Sequence, residues 1–280
     1  MIIASQSLTS SPAMKIGVAL PSVFQRKYPV LEPNTQMLIA LSLLRFHEID
    51  ALPLTFKPME KKRFAVFGYS CLSKLLETEA KNYGAFLEMS CENSALELTT
   101  IDGRKELETL LRIFEKTKFG FAWVESNRLG GFASLRDLIE LYERGIVATK
   151  LTAREVASPI FSLSKNTKIK SVLQEMFNRR IRRIFVSGNK GLVTDRTIIN
   201  YVFSSSRLSA ASRKPESLLE AKLGDLDLLE PVQVSGRVPI RDAAVSMRES
   251  SENCLVCNGS VITPWDLLMK PLIQGKLVIK

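Results

Sequence analysis

The sequence has one histidine, His47, in 280 residues. Hydrolytic triads and most zinc sites need a well-placed imidazole. His47 follows the apolar stretch QMLIALSLLRF, where a helix-end histidine reads as structural, so catalysis built on histidine is not expected. Cysteine is also scarce. Cys71, Cys91, Cys254 and Cys257 are the four present, too few for a secreted disulfide scaffold of this length. CLVC at 254–257 has C-x-x-C spacing but lies in an apolar run that reads as a strand. Positions i and i+3 of a strand face opposite sides, so the two thiols are expected to be buried apart and not to grip one metal. Neither a Walker loop nor G-x-S-x-G nor H-E-x-x-H occurs, and no enzymatic activity is expected. No run of about 18 apolar residues is present, which argues against a membrane span. The opening MIIASQSLTSSPAM lacks the basic and long apolar regions of a signal peptide. Residues 1–13 are expected to form a disordered leader, and the cysteine usage points to the cytoplasm.

What is present is enough apolar residue, 45%, for packed cores, in a chain long enough for two domains. The net charge is +10, and it is concentrated. Residues 149–219 hold 14 Lys or Arg against 4 Asp or Glu, so this stretch carries the whole excess. Its densest part is RRIRRIFVSGNKGLVTDRT, from Arg179 to Thr197. Such asymmetry suits either a polyanionic partner or a solvated basic face.

A phrase recurs through the chain: apolar strand, hydroxyl residue, two residues, then a polar residue opening an apolar helix. FAVFGYSCLSKLL offers Ser70 and Ser73, and LGGFASLRDLI offers Ser134 and Asp137. KGLVTDRTII offers Thr194 and Thr197, and GSVITPWDLL offers Thr263 and Asp266. The hydroxyl residues are 64, 60 and 69 apart. Each phrase follows a helix pattern, at Thr35–Phe46, Arg104–Lys116, Thr167–Asn178 and Pro239–Arg248, and then a short apolar strand. Thr35 and Thr167 stand where helix caps are expected, and Pro239 suits a first turn. The unit is strand–helix–strand–strand–helix, used four times. ATKLTAREVASP joins repeats two and three. The Ser-rich SSSRLSAASRKPESLLEAKLGD joins repeats three and four and is expected to be the most mobile internal segment.

These residues resemble the cystathionine-β-synthase (CBS) domain. That family's repeat ends in G-h-h-[ST]-x-x-D before an apolar helix, and a basic dipeptide often precedes a strand, as IRRIFV does here. DALPL, SPIFSLSKNTKIKSVL and KLGDLDLLEPVQVSGRVPIRDAA are similar to the family's strand and lead-in phrases. Four repeats in one chain look like archaeal stand-alone members and the gamma subunit of AMP-activated protein kinase. The resemblance implies an α+β fold of four βαββα CBS repeats in two pseudo-twofold pairs, or Bateman modules. The first pair would span 14–148, as repeats of about 14–80 and 81–148. The second would span 149–280, as repeats of about 149–206 and 217–280. The family is regulatory and binds adenosyl ligands (AMP, ADP, ATP or S-adenosylmethionine) between paired repeats, with no catalytic cofactor.

A nucleotide site of this kind needs a carboxylate for the ribose diol, a nearby hydroxyl, a helix start and arginines for phosphate. Thr263 with Asp266, and Ser134 with Asp137, are the ribose-binding candidates. Arg182 and Arg183 are the phosphate candidates, and being adjacent on a strand they should face opposite ways. Ser158, Pro159, Ile160 and Phe161 would frame the base. Repeat three carries Thr197 where the family has Asp, so the expected site is composite: ribose on repeat four, phosphate on repeat three. Repeat one carries Ser73 in place of Asp, and Asp50 and Ala51 in place of the basic dipeptide. The first pair is therefore expected to take a less anionic adenosine moiety or to be purely structural. Two other readings stand beside the sensor: nucleic-acid binding through 149–219, and a scaffold with decayed sites. A homodimer or a regulated protein partner is expected, and a membrane partner is not.

Overall fold

The structure, a computed structural model, describes residues 13–55, 62–78, 83–126, 129–188, 191–204, 207, 217–250 and 252–280. All but the last residue of the expected leader, and half of the Ser-rich join between repeats three and four, lie outside the described residues.

Four amphipathic helices open the repeats: Met37–Phe46, Leu107–Thr117, Ile169–Arg179 and Ile240–Glu249. Each buries positions i, i+3, i+4 and i+7, as in Ile169, Val172, Leu173 and Met176, the stripe that an apolar core requires of a helix. Threonine does not cap them. The N-caps are Gln36 and Lys168, one residue after Thr35 and Thr167, and neither makes a side-chain cap; Pro239 is likewise an N-cap. The first free N–H groups instead donate to carbonyls of another repeat's lead-in segment. Met37 N donates to Met89 O, Leu107 N to Met14 O and Ile169 N to Ala221 O, each at 2.8 Å, and Ile240 N to Leu151 O at 3.3 Å. Backbone has replaced side chain in satisfying the orphan donors of a helix start.

Those acceptors show how the repeats are paired. Each lead-in runs first along the partner repeat and only then turns into its own first strand. Bridges Lys15↔Glu106 and Gln36↔Ser90 exchange segments between repeats one and two; Thr152↔Pro239 and Lys168↔Lys222 do so between three and four. The approach is close. At Gly131, on the repeat-two strand Leu129–Ser134, an added Cβ would lie 2.1 Å from the Val23 carbonyl oxygen of the first lead-in.

Every repeat carries a small sheet around an antiparallel strand pair, such as Arg183–Val186 with Leu192–Thr194. In repeats two, three and four the repeat's own first strand joins parallel to this pair, as right-handed crossover through a helix favours. Sheets face each other within a pair. Phe67, Leu98 and Phe132 pack between repeats one and two, joined by the rings of Tyr28, Phe119, Phe121 and Trp123. Between three and four the filling is smaller: Phe185, Leu192, Cys254, Val256, Val261 and Ile160. Helices join the pairs to one another. Repeat one shares a core with repeat three, and repeat two with repeat four. Tyr142 is buried in the second of these interfaces and donates to Leu267 O at 2.6 Å. Gly68 marks the first, where a Cβ would sit 2.6 Å from Ile199 Cδ1. Cys254 lies in the sheet-to-sheet layer and Cys257 in the helix-side core, so the C-x-x-C thiols face opposite sides of their strand.

Candidate functional site

The recurring phrase becomes the start of each repeat's closing helix. In Pro264–Ile273 the N-cap is Thr263, and Asp266 sits three residues on. Asp266 Oδ2 accepts from the Thr263 amide and hydroxyl, both at 2.8 Å. In Leu135–Glu143 the same box is built by Ser134 and Asp137, at 2.7 Å for both bonds. Asp195–Val202 opens on Thr194 and Thr197, whose hydroxyls meet at 3.1 Å. Repeat one departs from the expected spacing. Its strand runs to Phe67, the N-cap, and Ser70 holds the third position, with Oγ accepting from Phe67 N at 3.2 Å. Ser70 therefore matches Asp137, and Ser73 matches nothing in the motif. Phe67 replaces the hydroxyl because this strand end packs into the ring layer between the first two sheets.

Both aspartates are buried, and each meets a cation of its own chain. Asp266 is 3% exposed and Asp137 2%. Asp266 Oδ1 accepts from the Ser158 hydroxyl at 2.6 Å and lies 3.0 Å from Lys270 Nζ. Lys270, one turn along the same helix, also donates to Val156 O at 2.6 Å, Ala157 O at 3.1 Å and Ser158 Oγ at 2.8 Å. Four donors thus surround a carboxylate that offers about four lone-pair positions. Asp137 is paired with Arg26, which comes from the first lead-in and also reaches the Tyr28 hydroxyl at 3.4 Å. Burial alone would lower the Arg26 pKa, but the Asp137 carboxylate and the Tyr28 hydroxyl together outweigh it and raise it above the ordinary guanidinium value.

Of the base-pocket candidates, Ser158 and Pro159 form a short strand beside Ser260–Ile262 of repeat four. This brings Ser158 to Asp266. Ile160 enters the layer between sheets three and four. Phe161 packs on the repeat-three side, with the Arg179 guanidinium 4.0 Å from its ring centre.

The two phosphate candidates part company. Arg183 turns toward repeat four and donates to Glu252 O at 3.2–3.3 Å. Arg182 turns to repeat one. It lies 2.9 Å from Asp50 and 2.7 Å from Asp195, while Arg196 stands 3.6 Å from Asp50. Burial would push the Asp50 carboxyl up, but Arg182 and Arg196 prevail and hold it below the ordinary range. The same two carboxylates, against the cost of burial, raise the pKa of Arg182. Beside this ionic cluster lies a cleft of about 20 Å³ lined by Leu44, Arg45, Gly68 and Ile199. It has room for a water molecule and not for a nucleoside. The sequence pattern marks neither the Arg182 ion cluster nor Lys270. Lys270 had a local signal, standing four residues after Asp266 on one helix face. Arg26 had none, since its partner lies in another repeat.

Among the described residues no group of three or more His, Cys, Asp or Glu is placed to hold a metal ion. Nor is any helix long and apolar enough to cross a membrane.

No family model matches this sequence, and no curated protein matches it. The fold does have neighbours. A Methanocaldococcus jannaschii protein, proposed as an archaeal homologue of g-AMPK, superposes with a TM-score of 0.77 over 88% of this chain and 96% of its own. The chain has the four-repeat CBS fold. The identity over that alignment is 14%, so the likeness is one of fold. The CBS-pair protein CBSX2 from Arabidopsis thaliana aligns with 45% of this chain and 98% of its own, at 17% identity and a TM-score of 0.36. CBSX2 in complex with AMP aligns with 47% and 97%, at 18% identity and a TM-score of 0.38.

Proposed function

We propose that this CBS-fold protein is a regulatory sensor, without catalytic activity of its own, that takes an adenosyl ligand between repeats three and four. The observation that carries the reading is the convergence of Ser158, Thr263 and Asp266. A hydroxyl from the lead-in segment comes within 2.6 Å of a buried carboxylate held at a helix start more than a hundred residues later. That arrangement suits a ribose diol, which needs an acceptor flanked by hydroxyls. The adenine class follows from the resemblance to the CBS family. A layer with one ring, Phe185, between sheets three and four favours the second pair for the base, whereas six rings fill the corresponding layer of the first pair. Arg183, turned toward repeat four, is the better phosphate ligand of the two; Arg182 already has two carboxylates. Ribose binding would displace Ser158 and Lys270 from Asp266 Oδ1.

Thermal unfolding with AMP, ADP, ATP, S-adenosylmethionine and NAD tests the proposal. A ligand at a hundredfold excess over its Kd should stabilise the fold by about 2.7 kcal/mol. The shift should vanish in Asp266→Ala and survive in Asp137→Ala. No shift with any of the five, or a shift unchanged in Asp266→Ala, would overturn the assignment.

A further inference from the structure

The four opening helices serve as controls for one another, because their buried positions coincide in register. Three exposed positions then stand out on repeat one. Leu38 is 37% exposed, Ile39 47% and Phe46 81%. Repeat two has Glu108, Thr109 and Lys116 at these positions. Repeat three has Lys170, Ser171 and Asn178, and repeat four has Arg241, Asp242 and Glu249. Scattered apolar residues on a surface need no explanation, but a stripe along one helix, absent from three structural equivalents, does.

The charges at its ends indicate what covers it. Glu92 is exposed at the N-terminal end, fixed there by the bonds of Cys91 N to Thr35 O at 2.8 Å and of Glu92 N to Pro33 O at 3.2 Å. Glu32 and Glu88 are exposed nearby in the segments that frame this helix start. At the C-terminal end stands the exposed Arg45, bonded to Phe203 O at 2.9 Å, and beyond it Arg207, stacked 4.4 Å over Tyr201. Glu48 offsets part of that positive charge. The face is therefore acidic at one end, apolar along about 12 Å of helix from Leu38 to Phe46 except for the exposed Ser42, and basic at the other. A surface with that order complements itself about a two-fold axis. Antiparallel packing sets each acidic end on a basic end and opposes the helix dipoles favourably.

We propose that this face is the contact of a two-fold homodimer, with the Met37–Phe46 helices of two chains antiparallel across the axis. The contact is independent of the nucleotide reading, because it lies on the outer face of repeat one and uses none of the second pair's residues. Phe46 is its anchor, and the charged ends set its direction.

Sedimentation velocity on the full chain from low micromolar to submillimolar concentration is the direct test. The wild type should reach the mass of two chains. Phe46→Glu, at a position too exposed to be needed for folding, should weaken association by about tenfold or more. Its unchanged thermal unfolding would confirm that the fold is intact. Arg45→Glu and the double variant Glu32→Arg/Glu92→Arg should each be monomeric alone and form a heterodimer when mixed, because mixing restores both sets of opposed charges. Salt should weaken the wild-type dimer. A single-chain mass throughout, a dimer unaffected by Phe46→Glu, charge variants that do not complement, or open-ended growth into larger species would each overturn the proposal.

Discussion

Asp50 and Arg182 hold the same strand-entry position in repeats one and three, and they meet at 2.9 Å across the interface between the two pairs. Each immediately precedes the residue that pairs with a helix N-cap: Ala51 with Phe67, and Arg183 with Thr194. An acid where the CBS family resemblance leads one to expect a base could indicate a spoiled phosphate site. The structure gives it another partner, the arginine of an equivalent repeat.

Removing Arg182 should therefore cost more than removing Asp50. Arg182→Met leaves Asp195, which is 5% exposed, without its guanidinium, and leaves Asp50 only the distant Arg196. A loss of about 2–3 kcal/mol is expected, less than for a fully buried pair because the ion pair is partly open to solvent. Asp50→Ala keeps the Asp195 contact and should lose about 1 kcal/mol. Urea unfolding of both variants and the double variant measures the coupling. The pH dependence has a defined sign. The folded-state pKa of Asp50 is depressed, so its contribution is complete above the unfolded carboxylate value and is lost as pH falls through the folded one. Wild-type stability should fall below about pH 4 more steeply than that of Asp50→Ala.

The repeat was legible because strand-turn-helix phrases are local. Thr263 with Asp266, and Ser134 with Asp137, could be read directly from hydroxyl and carboxylate three residues apart. In repeat one the structure sets the motif three residues earlier than the sequence pattern suggests, because a phenylalanine holds the hydroxyl position and a serine sits at each candidate site. The exchange of lead-in segments was invisible. Its hydrogen bonds are between backbone groups, which leave no residue signature, and they replaced the threonine caps that Thr35 and Thr167 suggested. The opposed directions of Arg182 and Arg183 followed from strand alternation, but their destinations, Asp50 and Glu252, depend on how repeats pack.

Arg26 and Asp137 predict a structural first pair. Arg26→Ala leaves a carboxylate that is 2% exposed with only the Ser134 and local backbone donors. A loss of about 1–3 kcal/mol is expected, moderated by the partial exposure of the arginine. Arg26→Lys should recover part of it. Neither variant should alter the thermal shift produced by an adenosyl ligand. A shift abolished by Arg26→Ala would move the ligand site to the first pair.

The thiols should be inert while the protein is folded. Burial pushes Cys71 up to about 12, only partly countered by its contact with Ser94, and pushes Cys91 up to about 11. Cys254 is also raised by burial. At pH 8 the thiolate fraction of Cys71 is on the order of one in ten thousand. A chromogenic disulfide reagent should find no fast-reacting group among these three in the native protein. All four cysteines of the chain should react after unfolding in guanidinium. Rapid labelling of any of the three, located by peptide mass, would show that its segment opens.

Lys270 separates stability from binding. Its ammonium satisfies two backbone carbonyls, the Ser158 hydroxyl and Asp266 at once. Lys270→Met keeps the length of the side chain but strips all four contacts, and should destabilise the protein by about 2–4 kcal/mol. The effect on ligand binding should run the other way. With Lys270 gone, Asp266 Oδ1 loses one of the two donors that a ribose diol must displace, so the ligand should bind more tightly to the less stable protein. Calorimetric titration of wild type and Lys270→Met at one temperature, below both unfolding transitions, decides the matter. Tighter binding in the variant places Lys270 as an internal competitor at the carboxylate. Weaker binding would mean that the ammonium itself holds the ligand, and unchanged binding would place the ribose away from Asp266.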